Sequence, residues 1–329
     1  MREFKIVARI VLLWGCLLFI PLGQSLAQNK DLKKVTFLPM WVPQPQFAGY
    51  YMAKEKGIYA RHGLDVTIVT GGFTQDVLGS LKSGTVTFGT MFLYSGVMER
   101  ARGTKIVNIA QIFQQSAIMF VAKKKSGIKT LQDFNGKKIG IWRTTVRELT
   151  TGFLSKHHIK AEIIPFNNAI NLFLDDAVDV TVMMNYNEYK RMINSGVNPD
   201  EVTVFPFAEY GMDFPEDGIY CLENTIAKDP GLCREFVDAS IEGWDYALSH
   251  ADETTAVISK YKILAKVPAN VSHSSWMLNR VREIIHPPNK PVQMGTLLKS
   301  DFDSLADFLF DNAFIASKPS FQEFFRTLR

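Results

Sequence analysis

The chain has 329 residues, 47% of them hydrophobic and 21% charged, with a formal net charge of +4. That length exceeds one ordinary core and predicts two domains of roughly 100–200 residues each. The composition argues against a disordered or polybasic chain, and so weak a charge excess argues against a nucleic-acid partner, which needs a concentrated basic face.

The first 27 residues differ from everything after them. Arg2, Lys5 and Arg9 form a basic start, Ile10 to Ile20 an apolar run, and Ser25-Leu26-Ala27 a small-residue end. This is the layout of a secretory signal peptide cleaved after Ala27, since the run falls short of the ~20 residues that a membrane span needs. A periplasmic location follows, with a lipid anchor at Cys16 left open. Lys123-Lys124-Lys125 reads as a solvated strand end. Cys221 and Cys233 read either as a disulfide, which an oxidising compartment permits, or as two buried thiols.

From Lys34 to Phe113 strands and helices alternate. Strands are expected at Val35–Trp41, Leu64–Val69, Thr85–Gly89 and Ile106–Phe113, with helices at Gln46–Lys56, Thr74–Lys82 and Phe92–Arg102. Such repeats imply a mostly parallel sheet with helices on both faces. The β-rich run Gln111–Ala122 is then broken by Gln114-Gln115-Ser116, as expected where a chain leaves one sheet and enters another.

A second block repeats the order. Thr130 caps a short helix, and strands are expected at Lys138–Trp142, Glu162–Pro165, Val178–Met183 and Val202–Pro206. Helices are expected at Thr145–His157, Asn167–Leu174 and Tyr186–Ser195. The irregular stretch Phe205–Tyr220 ends in the strand Ile219–Leu222 and reads as a return crossing. Helices follow at Pro230–Ser249, Thr254–Leu264, Ser274–Ile285 and Leu297–Phe310, and the helical spacing of Trp244 and Trp276 marks them as core.

The fold class is therefore α/β: two doubly wound lobes joined by two crossing strands, with extra C-terminal helices. Residues 34–115 with 219–329 form lobe 1, and residues 116–218 form lobe 2. Such lobes close on a ligand by hinge motion. In open α/β sheets small ligands sit at the carboxyl ends of strands and the amino ends of helices, which selects the candidate site.

Trp41 and Trp142 each close a strand, where a flat ring could stack, although one of them could instead pack under a helix. Gln44 and Gln46 are rim residues, and Tyr50 adds a ring in the following helix. Gly71 and Gly72 offer backbone N–H groups, and Thr90 and Met91 follow a strand. Tyr186, Asn187 and Glu188 start a helix, where a side-chain amide and a carboxylate could pair with a ligand's donor and acceptor atoms or act as cap and dipole complement. Asp217 and Tyr220 either reach the ligand or fix the hinge.

The segment Trp41-x-Pro-Gln-x-Gln-Phe-Ala-Gly-Tyr-Tyr-Met-Ala, then Glu55-Lys56-Gly57-Ile58-Tyr59, His62 to Ile68 and Gly71-Gly72, resembles the periplasmic binding proteins of ABC importers for thiamine pyrimidine precursors. Gly136 to Trp142, Asn171 to Leu174, Tyr186-Asn187-Glu188-Tyr189 and Glu216 to Tyr220 continue the resemblance in the same order. The likeness covers most of residues 35–250. It implies a type II periplasmic binding fold, a small nitrogen-heterocycle ligand, an ABC importer permease as partner, a monomer and no cofactor. One departure is Arg143-Thr144-Thr145-Val146-Arg147-Glu148, where many relatives carry a glycine-rich turn and an acidic residue. A cation there favours a more acidic ligand.

The main rival is a pyrimidine-synthase enzyme of the same superfamily, with Lys54 or His62 holding a cofactor. Against it, the chain has three scattered cysteines in place of a cysteine-rich cluster, and it lacks a nucleophile elbow, a His-Glu-x-x-His and a P-loop. A binding protein for sulfonate or riboflavin, or a ligand sensor serving a separate receptor, are further alternatives.

Overall fold

The computed structural model describes residues 32–167 and 170–328. The expected signal peptide lies outside the described residues. In the first lobe the elements run β1 (Lys33–Leu38), a 3-10 turn (Pro45–Phe47), α1 (Ala48–Glu55), α2 (Ile58–Arg61), β2 (Leu64–Ile68), α3 (Val77–Ser83), β3 (Phe88–Phe92), α4 (Leu93–Ala101) and β4 (Ile106–Gln111). The second holds β5 (Ile118–Lys123), β6 (Lys138–Trp142), α5 (Arg147–Lys156), β7 (Glu162–Phe166), α6 (Asn171–Leu174), β8 (Val180–Met184), α7 (Glu188–Asn194) and β9 (Val202–Pro206). The chain then returns through β10 (Asp217–Leu222) to α8 (Glu223–Lys228), α9 (Pro230–Ser249), α10 (Ala251–Leu264), α11 (Val271–Ile285), α12 (Lys299–Asp311) and α13 (Phe321–Phe324).

The two sheets have five strands each, ordered β2-β1-β3-β10-β4 and β7-β6-β8-β5-β9. The orders correspond position by position. In each, three parallel strands are followed by one antiparallel strand that the chain enters on crossing from the other lobe. The polar break at Gln114-Gln115-Ser116 lies between β4 and β5, where the chain changes sheets. Consequently β1 and β6 occupy equivalent places, and the carboxyl ends of β1, β2 and β3 match those of β6, β7 and β8.

Local chemistry explains the elements that frame this arrangement. Thr130 and Asp133 form a reciprocal capping box on the short turn Leu131–Phe134. Asp229 accepts the Leu232 N–H at 2.8 Å and Pro230 opens α9, a start signal legible in the sequence. Helix α9 packs against α1 at unusually short range: a Cβ on Gly49 would lie 2.2 Å from Trp244 Cγ, and one on Gly243 would lie 2.3 Å from the Gly49 carbonyl oxygen. Only glycines allow that approach.

Several boundaries differ from expectation. Strand β1 ends at Leu38, so Trp41 sits in the bend after it. Strand β3 runs Phe88–Phe92 rather than Thr85–Gly89, because its outer half pairs with β10, far away in sequence. The return strand begins at Asp217, two residues earlier than expected. The C-terminal helices also reach the second lobe, where Asn187 bonds His273 of α11 and Phe308 of α12 packs beside Gly152. Farther on, Arg326 N donates to Asn108 O at 3.0 Å, and bridges at Phe325 and Gly295 lie along β4. Cys221 and Cys233 are free buried thiols in hydrogen-bond contact. Lys123 and Lys125 both pair with Asp176 at the protein surface.

Candidate functional site

A cleft of about 840 Å³ lies between the matching strand ends. The loop after β1 contributes Met40, Trp41, Gln44 and Gln46, the loop after β2 contributes Gly72, Phe73, Gln75 and Asp76, and the end of β3 with the start of α4 contributes Phe92, Tyr94 and Ser95. The second lobe answers with Trp142 to Thr145 after β6, Phe166 and Asn167 after β7, and Met184 with Tyr186 to Glu188 after β8. All six parallel strand ends therefore face one space, as the rule for open α/β sheets requires.

Aromatic rings come from both sides. Trp41 meets Phe73 edge-on, with centroids 4.3 Å apart, and Phe73 is 67% exposed at the mouth. Trp142 is largely buried, and Tyr186 packs edge-on against Phe113 in the first crossing. Such rings offer flat apolar faces to a planar ligand.

The polar lining is sparse and ordered. Gln44 Nε2 donates to Gln46 Oε1 at 2.5 Å, and Gln46 Nε2 donates to Asp217 Oδ2 at 2.8 Å. Burial, reinforced by the neighbouring Glu216, pushes the Asp217 carboxyl well above the usual range. Glu216 accepts the Ala117 N–H at 2.6 Å and the Ser116 hydroxyl at 3.2 Å, so it braces one crossing against the other, and burial pushes it up to about 8. Glu188, also raised by burial, accepts Asn187 Nδ2 at 2.7 Å and Met184 N at 3.2 Å. Arg143 is exposed in the lining and pairs with no carboxylate among the described residues. Its guanidinium lies 3.4 Å from the Pro165 carbonyl oxygen.

Contacts join the lobes beside this space at two places. The Val146 N–H donates to the Tyr94 hydroxyl at 2.9 Å, and Val146 has a φ of 50° at the start of α5. On α7 and α11, Asn187 Oδ1 lies 3.1 Å from His273 Nε2, and Lys190 sits over the Trp276 ring at 5.0 Å. Burial, with Lys262, Arg191 and Lys190 nearby, lowers His273 from 6.5 to about 4. The neutral imidazole therefore donates to Asn187.

Acid should destabilise the fold through this histidine. The unfolded chain binds a proton near pH 6.5 and the folded chain only near pH 4, so stability falls as pH drops through that window. Glu188 titrates in the opposite sense, so the difference between wild type and His273→Gln isolates the histidine. The variant is expected to show a shallower loss of unfolding free energy between pH 6.5 and 4; matching slopes would refute the assignment.

Of the residues singled out from the sequence, Trp41, Gln44, Gln46, Gly72, Trp142, Arg143, Tyr186, Asn187 and Glu188 line the cleft. The others do not. Tyr50 is buried in the core, its ring 4.6 Å from Phe37 and 5.8 Å from Trp244, because its helix faces α9. Tyr220 is buried against Gly96, and its hydroxyl accepts Asn108 Nδ2 at 3.1 Å. Thr90 accepts the Met40 N–H at 2.9 Å from within β3, and Met91 is buried beside it, since the central strand continues past both. Gly71 is structural, as a Cβ there would lie 2.0 Å from the Pro39 oxygen. Asp217 stands behind Gln46. Phe73, Tyr94, Ser95 and Phe166 were missed, although each lies at or just beyond a strand end equivalent to one that was chosen.

Residues 44–254 match the NMT1/THI5-like family. The riboflavin-binding protein RibY of Chloroflexus aurantiacus is 29% identical over 232 residues, 68% of this chain and 64% of that protein, so the match falls just short of two thirds of its length. The 4-amino-5-hydroxymethyl-2-methylpyrimidine phosphate synthase THI13 of Saccharomyces cerevisiae is 32% identical over 66% of this chain and 67% of its own. Among solved structures, the periplasmic aliphatic sulphonate binding protein SsuA of Escherichia coli has a TM-score of 0.67 at 16% identity, covering 87% of this chain and 95% of that one. That likeness concerns the fold, a periplasmic-binding-protein architecture of two α/β lobes. With that architecture and a family match across well over half its length, the chain belongs to the NMT1/THI5-like family.

Proposed function

We propose that this protein is the exported ligand-capturing component of an ABC importer, closing its two lobes over a planar nitrogen heterocycle and handing it to a permease as a monomer. Residues 1–27 serve as the export signal in this reading. Aromatic rings from both lobes facing one cleft carry the proposal. The volume of about 840 Å³ lies inside the ~300–1,000 Å³ range of small-molecule sites, room for a ring system larger than one pyrimidine. The sequence resemblance favours a thiamine pyrimidine precursor, while the volume and the riboflavin-binding relative favour a flavin. Both belong to the same chemical class.

The synthase relatives make catalysis the second reading. Among the described residues no lysine, histidine or cysteine lines the cleft. Lys54 is engaged by the Val66 carbonyl and His62 by Glu235 and Glu242. The aromatic rings on both sides of the cleft make capture the first reading.

Mass spectrometry of the ligand released from purified protein, with calorimetry against 4-amino-5-hydroxymethyl-2-methylpyrimidine, riboflavin and an alkyl sulfonate, tests the reading. Binding of a ring compound is expected; tight binding of the sulfonate alone would sink the heterocycle assignment. Arg143→Ala is expected to weaken a phosphorylated ring ligand by roughly 10- to 100-fold, the worth of a charge-assisted hydrogen bond, and to leave its neutral parent unchanged. Equal loss for both would remove the anion role.

A further inference from the structure

The relay Gln44–Gln46–Asp217 has a direction. Its inner end is Asp217 Oδ2, which accepts from Gln46 Nε2 both in the carboxylate and in the neutral acid whose proton sits on Oδ1, so Gln46 turns its nitrogen toward β10 and its oxygen toward Gln44. That oxygen needs a donor, so Gln44 turns its own nitrogen inward. Gln44 Oε1, which has no hydrogen-bond partner among the described residues, is then the end left for the cleft. Without an anchor the two ends of a primary amide have nearly the same shape, and either could face a ligand.

Asp217 has no evident structural use that would explain it otherwise. It is 2% exposed, its Oδ1 is buried without a partner, and Gln46 is the one side chain that bonds its carboxyl among the described residues. A buried, half-satisfied carboxyl costs folding free energy, and an apolar residue would fill this strand position more cheaply.

We propose that Asp217 is a positioning residue: through Gln46 it fixes the Gln44 amide with its oxygen toward the cleft, and so selects ring ligands that donate an N–H there. This rests on the heterocycle reading above. Ligands of the required class are imides, lactams and amino-substituted rings, while their N-alkylated counterparts are rejected.

Calorimetry with two probe pairs tests it: riboflavin against 3-methylriboflavin, and 4-amino-5-hydroxymethyl-2-methylpyrimidine against its 4-dimethylamino analogue. Wild-type protein is expected to prefer the N–H member of the pair it binds by roughly tenfold or more, about the worth of one buried hydrogen bond. Asp217→Leu is expected to bring the two members within about threefold, with affinity for the alkylated member retained. Gln44→Leu should do the same, and the double variant should lose no further preference, because the residues act in series. Should Asp217→Leu fail to fold, Asp217→Asn serves, since an amide can accept from or donate to Gln46 and so releases the orientation, lowering the preference in part. Equal weakening of both members, additive effects, or a wild type that binds without preference would overturn the positioning role alone. A wild type that binds neither pair would overturn the heterocycle reading and this inference with it.

Discussion

Replacing Trp244 by alanine is expected to cost about 3–5 kcal/mol of folding stability, the range for emptying a fully buried indole site. Trp244 is completely buried in α9, 5.8 Å from the Tyr50 ring and 6.3 Å from the Phe113 ring, so it ties α9 to α1 and to the first crossing at once. The walls of the vacated space belong to different elements and cannot collapse together. Gly49 faces the indole without a side chain, so that wall of the cavity has no group to move in. Urea denaturation reads the loss as a lower midpoint with an unchanged slope. A cost below about 1 kcal/mol would mean that the helices repack and the core assignment is wrong.

A large effect on binding is also expected at the two cleft tryptophans. Trp41→Ala and Trp142→Ala each remove a ring face worth roughly 0.5–1.5 kcal/mol beyond its burial, so each should weaken a planar ligand by about tenfold. Trp41 stands in a bend and meets Phe73, so its loss should leave folding nearly unchanged. Trp142 ends β6 and is more buried, so its variant should also unfold at lower denaturant. The double variant is expected near a hundredfold if the rings act on separate parts of the ligand. Undiminished affinity in both single variants would place the ligand elsewhere in the cleft.

The sequence revealed elements whose signals are local. Strand β9 and helix α9 occupy the residues expected, Val202–Pro206 and Pro230–Ser249, because a short run of β-formers ending in proline and a proline at the helix start are local signals. The change of sheet was legible as well, since three polar residues interrupt an otherwise apolar run. Strand β3 was displaced because its outer half is defined by β10, which arrives more than a hundred residues later. The same cause placed Thr90 and Met91 beyond the supposed strand end, when they lie inside a central strand. Tyr50 and Tyr220 misled for another reason: rings near a site and rings in a core share one residue type, and only packing against Phe37 or Gly96 separates them. Arg143 was anticipated as a cation lining the cleft, and it does line it. Tyr94 carried no motif and became visible only once all six strand ends were seen to converge.

The bridges along β4 bear on how the protein behaves in a crowded solution. β4 is a border of the first sheet, and an uncovered border strand is a template on which another chain can add itself. Gly295 and Phe325 occupy that border from the same molecule, with Arg326 donating to Asn108 beside them. The last described residues thus cover backbone groups of β4 that an added strand would use, a place in the fold separate from the cleft. The second lobe guards one of its borders by different means: Pro165 lies in the border strand β7 and has no N–H to offer an incoming strand.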